Sequence, residues 1–193
     1  MLIRIRNLQK KFGDKTPLKF PDLDIPEKGI ILLKGRNGAG KSTLIKLIAQ
    51  FIRPDCGSVE YTDVNFHGNA AFLLDQPILL SNLNFRDNLS FVGNLLKINS
   101  SVIEKQIQFY SALFTLPESV YYSEYSLGMK KKAELARTLF HNPKYIFWDE
   151  PFASLDIESI TLLKDEILDK NKLFFISTHD NILDSAADEI LQL

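Results

Sequence analysis

The feature that most constrains this chain is the run GRNGAGKST, Gly35 to Thr43. It fits the pattern G-x-x-x-x-G-K-[ST], with apolar IILL before it and the helical apolar run KSTLIKLIAQF after it. A glycine-rich turn between a buried strand and a helix commits the chain to an α/β core. Gly35, Arg36, Asn37, Gly38, Ala39 and Gly40 form a loop whose glycines permit backbone conformations closed to bulkier residues. Its N–H groups can then converge on phosphate oxygens, and the helix beyond adds the positive end of its dipole. Lys41 is expected to reach the β- and γ-phosphates of a nucleotide. The Ser42 hydroxyl is expected to ligate Mg²⁺, and Thr43 completes the first turn.

The rest of the chain alternates strand-like and helix-like stretches. LIRIRNL alternates with period two, and GIILLK, AAFLL, YIFWD and LFFIST are short apolar runs of the buried-strand kind. NFRDNLSFVGNLLKI, SVIEKQIQFYSALF and LGMKKKAELARTLF carry helical spacing. This predicts a mostly parallel sheet with helices. The stretch from about residue 77 to residue 137 has helical patterns and no convincing strand. It is expected to be a helical subdomain inserted in a core formed by about 1–76 and 138–193.

Composition narrows the class. Of the 193 residues 45% are hydrophobic, enough for a sizeable core, and the net charge of −1 gives no global basic field for nucleic acid. No apolar run approaches the roughly 20 residues that span a bilayer, and MLIRIRNLQKKF lacks the apolar block of a signal peptide. The one cysteine, Cys56 in the turn-like RPDCGS, cannot form an internal disulfide, and residence in the cytoplasm is expected.

A second element joins the phosphate loop. KYIFWDEP runs four bulky residues into two carboxylates, so a buried strand would deliver Asp149 and Glu150 at its C-terminal end, where open α/β sheets bind ligands. Asp149 is expected in the Mg²⁺ shell and Glu150 near the γ-phosphate, polarising a water.

With these two elements the chain resembles the nucleotide-binding domain of ABC-type ATPases over nearly its whole length. The resemblance implies a phosphate-loop core with a small antiparallel β part near the N-terminus. It places Gln76, in AFLLDQP, at Mg²⁺ and the attacking water, and His179, in ISTHD, at the γ-phosphate. Phe12, in QKKFG, falls where the family stacks an aromatic on adenine, and Asp156, in SLD, falls in the family's D-loop. The signature departs from the usual L-S-G-G-Q and reads YSLGM, with Leu127 and Met129 at altered positions. Ser126 and Gly128 remain, and the family uses these to bind the γ-phosphate held by the opposite subunit. Ser126 also suits a helix N-cap.

The resemblance implies that ATP is sandwiched between two copies of the chain, or between it and a similar ATPase subunit. Hydrolysis would then energise a separate integral membrane permease, which docks on the helical subdomain and holds the protein at the cytoplasmic face of the membrane. The apolar stretch PILLSNLNFRDNLSFV supplies both subdomain core and candidate docking contacts. The chain stops at DEILQL, near where family members begin a final hairpin, so no C-terminal regulatory domain is expected. The competing reading is a soluble ABC-type ATPase acting as an assembly factor. A third class, a small-molecule kinase, does not account for the signature helix and His179. The transported substrate, the direction of transport and the choice between homodimer and heterodimer are not written in the chain.

Overall fold

The structure, a computed structural model, describes residues 1–193 and divides into two compact units. The first comprises Met1–Asp75, Lys144–Glu150 and Leu168–Leu193; the second comprises Gln76–Pro143 and Pro151–Ile167.

The first unit opens with β1 (Ile3–Lys10), β2 (Leu18–Lys19), β3 (Leu23–Ile25) and β4 (Gly29–Lys34). It continues with α1 (Lys41–Ile48), β5 (Cys56–Tyr61), the one-turn α2 (Phe66–Asn69) and β6 (Ala70–Leu73). β1 buries Ile3 and Ile5 and turns Arg4 outward, as period two requires of a strand with one wet face; a register shift between Arg6 and Gln9, with Asn7 at φ +50°, changes the phase so that Leu8 is buried. It pairs antiparallel with β2, β3 and β5. Cys56 is therefore an exposed strand residue at the start of β5, not a turn residue. Three strands of this small sheet carried no alternation in the sequence, because β2 and β3 are two and three residues long and β5 begins with CGS.

The central sheet is parallel throughout and runs β6, β7 (Tyr145–Asp149), β8 (Leu173–Ser177), β4, β9 (Glu189–Gln192). Every residue of β7 and β8 is buried, the mark of strands covered on both faces. Leu44, Ile45, Leu47 and Ile48 of α1 join Phe147, Phe175 and the apolar residues of β1 in one core. α1 ends at Ile48, three residues before the apolar run does, and Gln50 turns out of the helix with φ +58°.

The second unit holds α3 (Phe85–Leu95), α4 (Ser100–Phe114), α5 (Leu127–Leu139) and the short α6 (Ile157–Leu162). Each starts on a side-chain cap: Asn84, Asn99, Ser126 and Asp156 accept from the N–H of Asp87, Ser101, Met129 and Ser159. The unit reaches past residue 137 to Pro143 and also takes Pro151–Ile167, which follows the DEP carboxylates in sequence. Inside it the Glu134 carboxylate is buried and accepts from the N–H groups of Ile78 and Leu79 at 2.7 and 2.8 Å, while Arg137 Nε pairs with its other oxygen at 2.6 Å. No helix is long and apolar enough to cross a membrane.

Candidate active site

β4 delivers the chain into the phosphate loop, and α1 begins at Lys41 with Gly40 as its N-terminal flank. Gly38 and Gly40 hold φ of +84° and +102°, the region that side chains disfavour. Gly40 is also crowded: a Cβ there would stand 3.1 Å from a Phe20 ring carbon and 3.2 Å from a Leu18 methyl. Gly35 differs, since its φ is not positive. There the missing side chain matters because a Cβ would meet the Leu193 carbonyl oxygen at 2.8 Å.

The loop encloses a cavity of about 260 Å³, walled by Arg36 to Gly38, Gly40 to Thr43, Leu18 and Glu150. All of these fall within the two stretches GRNGAGKST and KYIFWDEP except Leu18, which lies on the short β2. Gly35 and Ala39 form the loop behind the wall, and Ala39 N–H donates to the Arg36 carbonyl. Phe12 is not part of the wall. The residue is 46% exposed on the loop after β1, with Lys10 Nζ 5.7 Å from the ring centroid.

Lys41 is buried, and its ammonium donates to the Gly35 carbonyl at 2.9 Å and pairs with Glu150 Oε1 at 3.5 Å. Glu150 follows β7 directly and sits at φ +45°, a left-handed conformation that costs a non-glycine residue about 1–2 kcal/mol. Its N–H is held by the carbonyl and hydroxyl oxygens of Ser177, both at 3.1 Å. The other carboxylate oxygen, Oε2, lies 2.9 Å from His179 Nδ1, beyond the end of β8. The ring is otherwise mostly in solvent, with 58% of the side chain exposed. A continuous line of polar contacts thus runs Gly35, Lys41, Glu150, His179.

Asp149 is buried, and the Ser177 hydroxyl donates to its Oδ1. The register of β7 against β8 sets Asp149 directly opposite Ser177. Nothing in the sequence marked Ser177, because its role depends on that pairing. A carboxylate buried with a hydroxyl partner is costly unless a cation answers its charge. Asp149 and the half-buried Ser42 offer the hard oxygen donors that suit Mg²⁺, which keeps several waters of its own. This donor chemistry fits the ion.

Gln76, Ser126, Gly128 and Asp156 belong to the second unit. Gln76 is exposed on the segment between β6 and α3. Ser126 caps α5, its Oγ accepting from Met129 N–H at 3.2 Å. A Cβ on Gly128 would come within 2.9 Å of the Ser154 carbonyl oxygen, so only glycine lets α5 start against that loop. Asp156 caps α6 and pairs with Lys132 at 3.1 Å. The Ser159 hydroxyl, then its N–H, then Lys132 hold the Asp156 carboxyl well below the usual carboxylate range. Lys132 of the Lys130–Lys132 run is therefore engaged with Asp156, and Lys130 donates to the Ser123 carbonyl at 3.1 Å.

A family model described as "ABC transporter" matches residues 18–153. The chain is 32% identical to an uncharacterized ABC transporter ATP-binding protein of Methanocaldococcus jannaschii, over 92% of this chain and 68% of that one. It is 31% identical to the bacitracin transport ATP-binding protein of Enterococcus faecalis, over 92% of this chain and 61% of that one. Among solved structures it resembles the ATP-binding subunit of an ABC transporter, with a TM-score of 0.89 and 22% identity over 100% of this chain and 86% of the other. A dimeric ATP-binding cassette in a post-hydrolysis state with ADP and phosphate gives a TM-score of 0.85 and 22% identity over 100% of this chain and 94% of the other. At that identity the two structures speak to the fold alone.

Proposed function

The chain belongs to the ABC transporter family of ATP-binding cassettes, an ATPase family, and on that premise we propose that it binds Mg²⁺ATP in the phosphate loop and hydrolyses it to drive a separate membrane permease. The observation that carries this reading is the line of contacts Gly35–Lys41–Glu150–His179, whose middle members Lys41 and Glu150 line the cavity at the phosphate loop.

Lys41 and the loop N–H groups bind the β- and γ-phosphates, and the charge on those oxygens takes Lys41 over from Glu150. Ser42 and Asp149 would hold Mg²⁺, and the family resemblance alone adds Gln76 as a ligand; the ion would neutralise phosphate charge when bound. Glu150 orients a water on the γ-phosphorus and accepts its proton as the new P–O bond forms. The bond to the ADP oxygen breaks with its electron pair going to ADP. His179 fixes the Glu150 carboxylate and offers its ring to the γ-phosphate. Most of the acceleration in such a transfer comes from positioning and charge stabilisation. Phe12 stacks on the adenine. Ser126 and Gly128 of a second copy, or of a similar subunit, close the site over the γ-phosphate, with Asp156 beside them. The permease docks on the helical unit and places the protein on the cytoplasmic face of the membrane.

Two substitutions test the site. Lys41→Ala should lose most ATP binding, because the phosphate charge goes unpaired. His179→Ala should bind ATP but release phosphate at least about a hundredfold more slowly, in the range for losing a positioned proton-transfer group. Equal turnover in either variant and wild type counts against the assignment. Copurification of an affinity-tagged chain with a polytopic membrane protein tests the transport role.

A further inference from the structure

We infer that Lys34, the last residue of β4, is a positioning residue for His179. The inference rests on the role given to His179 above and concerns what holds that ring in place. His179 is largely in solvent, so packing does not fix it. Apart from its contacts with the carboxylates of Glu150 and Asp180, its position follows from the loop that carries it, Thr178 to Asp184. That loop is fastened to the root of the phosphate loop at two points. The Thr178 N–H donates to the Leu33 carbonyl at 3.2 Å. On the far side of the histidine, Lys34 Nζ donates to Asn181 Oδ1 at 2.7 Å and pairs with the Asp184 carboxylate.

The Lys34 side chain is only 12% exposed, so most of its length is covered, while the Asp184 carboxylate it meets is 38% exposed. Within the loop, Asp180 N–H donates to Thr178 Oγ1 at 3.1 Å and Asp184 N–H to the Asn181 carbonyl at 3.2 Å, so the anchored residues and the histidine move together. Lys34 also directly precedes Gly35, whose carbonyl accepts from Lys41. One lysine therefore ties the loop of His179 to the strand end that launches the phosphate loop. It touches neither Glu150 nor the phosphate cavity, so it acts through His179 and not on the substrate.

The test uses the full chain and compares Lys34→Met, Lys34→Arg and the double variant Asn181→Ala/Asp184→Asn, which breaks the same contact from the other side. Steady-state phosphate release gives kcat and KM, and a fluorescent ATP analogue reports binding. Lys34→Met should lower kcat about tenfold or more, as small misplacements of a reacting group do, while analogue affinity stays within about twofold. Lys34→Arg should recover most of the rate by pairing again with Asp184. The double variant should match Lys34→Met, and Lys34→Met should cost nothing further in a His179→Ala background. A full-rate Lys34→Met protein beside a slow His179→Ala protein overturns this inference alone. A full-rate His179→Ala protein overturns it together with the role of the histidine. A loss of analogue affinity equal to the loss of rate, or costs that add with His179→Ala, places Lys34 in the phosphate loop instead and rejects the inference.

Discussion

At the scale of single residues, the site works by competition for one charge. Lys41 is answered by Glu150 and by the Gly35 carbonyl, so phosphate oxygens must outbid a carboxylate 3.5 Å away. The proposed adenine contact falls on a less buried group: Phe12 is 46% exposed, whereas Leu18 lines the cavity at the phosphate loop. Phe12→Ala should weaken ATP binding by about 1–3 kcal/mol if the ring stacks on the base, and leave inorganic triphosphate binding unchanged. Leu18→Ala should weaken both ligands alike, because its methyl packs against the backbone of Gly40 and steadies the loop. Calorimetric titration of each variant with ATP and with triphosphate separates the two. Equal losses for both ligands in Phe12→Ala would place that ring in the fold and not on the base.

At the scale of elements, buried polar groups fix how segments meet. Glu134 on α5 receives two backbone N–H groups from the strap just beyond Gln76, with Arg137 on its second oxygen. Glu134→Ala would leave those two N–H donors without their acceptor and remove one partner of Arg137, at a cost of about 3–5 kcal/mol. Chemical denaturation should register that loss, and a variant as stable as wild type would show the contact to be dispensable. The same element shows what the sequence conveyed and what it did not. The helical spacing of LGMKKKAELARTLF gave α5, and Ser126 gave its start. Glu134 read as one more polar residue, since its burial comes from a strap more than fifty residues earlier in the chain. β4, β6, β7 and β8 were legible because each is a continuous apolar run. β2, β3 and β9 were not, because their pairing partners and not their own side chains make them strands. The candidate site divides in the same way: local motifs pick out Lys41, Asp149 and Glu150, while Ser177 and Leu18 come beside them through the register of distant strands or the packing of loops.

Strand pairing also carries a pH dependence. Asp188, just before β9, accepts from Lys170 at 2.7 Å and from the Ile30 N–H at 2.9 Å, and these two donors, in that order, lower its carboxyl from the ordinary value. Asp63 is lowered in the same sense, chiefly by the Asn69 side chain and then by the Asn65 N–H, and accepts from Tyr145 at the start of β7. A carboxyl lowered by folding stabilises the native state above its unfolded value of about 3.9. That contribution is lost as pH falls through the lower, folded value. Stability should therefore show no contribution to its slope from these groups near neutrality and should decline below about pH 4. Asp188→Asn should be less stable than wild type at pH 7 and closer to it at pH 3, as read from urea midpoints. A constant gap between the two proteins across that range would remove Asp188 from the account.

At the scale of the whole molecule, the proposed closure sets the phosphate loop of one chain against the signature of a second. Glu150→Gln keeps the size of the side chain and its contact with His179 but removes the base. It also removes the negative charge that competes with the γ-phosphate for Lys41. Hydrolysis should fall while ATP still binds, and the bound ATP should then join two chains. Analytical ultracentrifugation should show this variant shifting from monomer to dimer with ATP and not with ADP, because Ser126 and Gly128 of the second chain need a γ-phosphate to hold. Adding Ser126→Arg should abolish the ATP dimer and leave ATP binding to the monomer intact. Ser126 lies in the second unit at the tip of α5, and its hydroxyl serves its own chain only as a cap, so the expected cost to folding is about 1 kcal/mol. Leu127, 75% exposed beside that serine, stands where the family signature has a glycine, and Leu127→Gly tests whether the altered signature slows closure. A Glu150→Gln protein that binds ATP and stays monomeric at saturation, with or without Leu127→Gly, would reject closure between identical chains and direct the search to a different ATPase subunit as the partner.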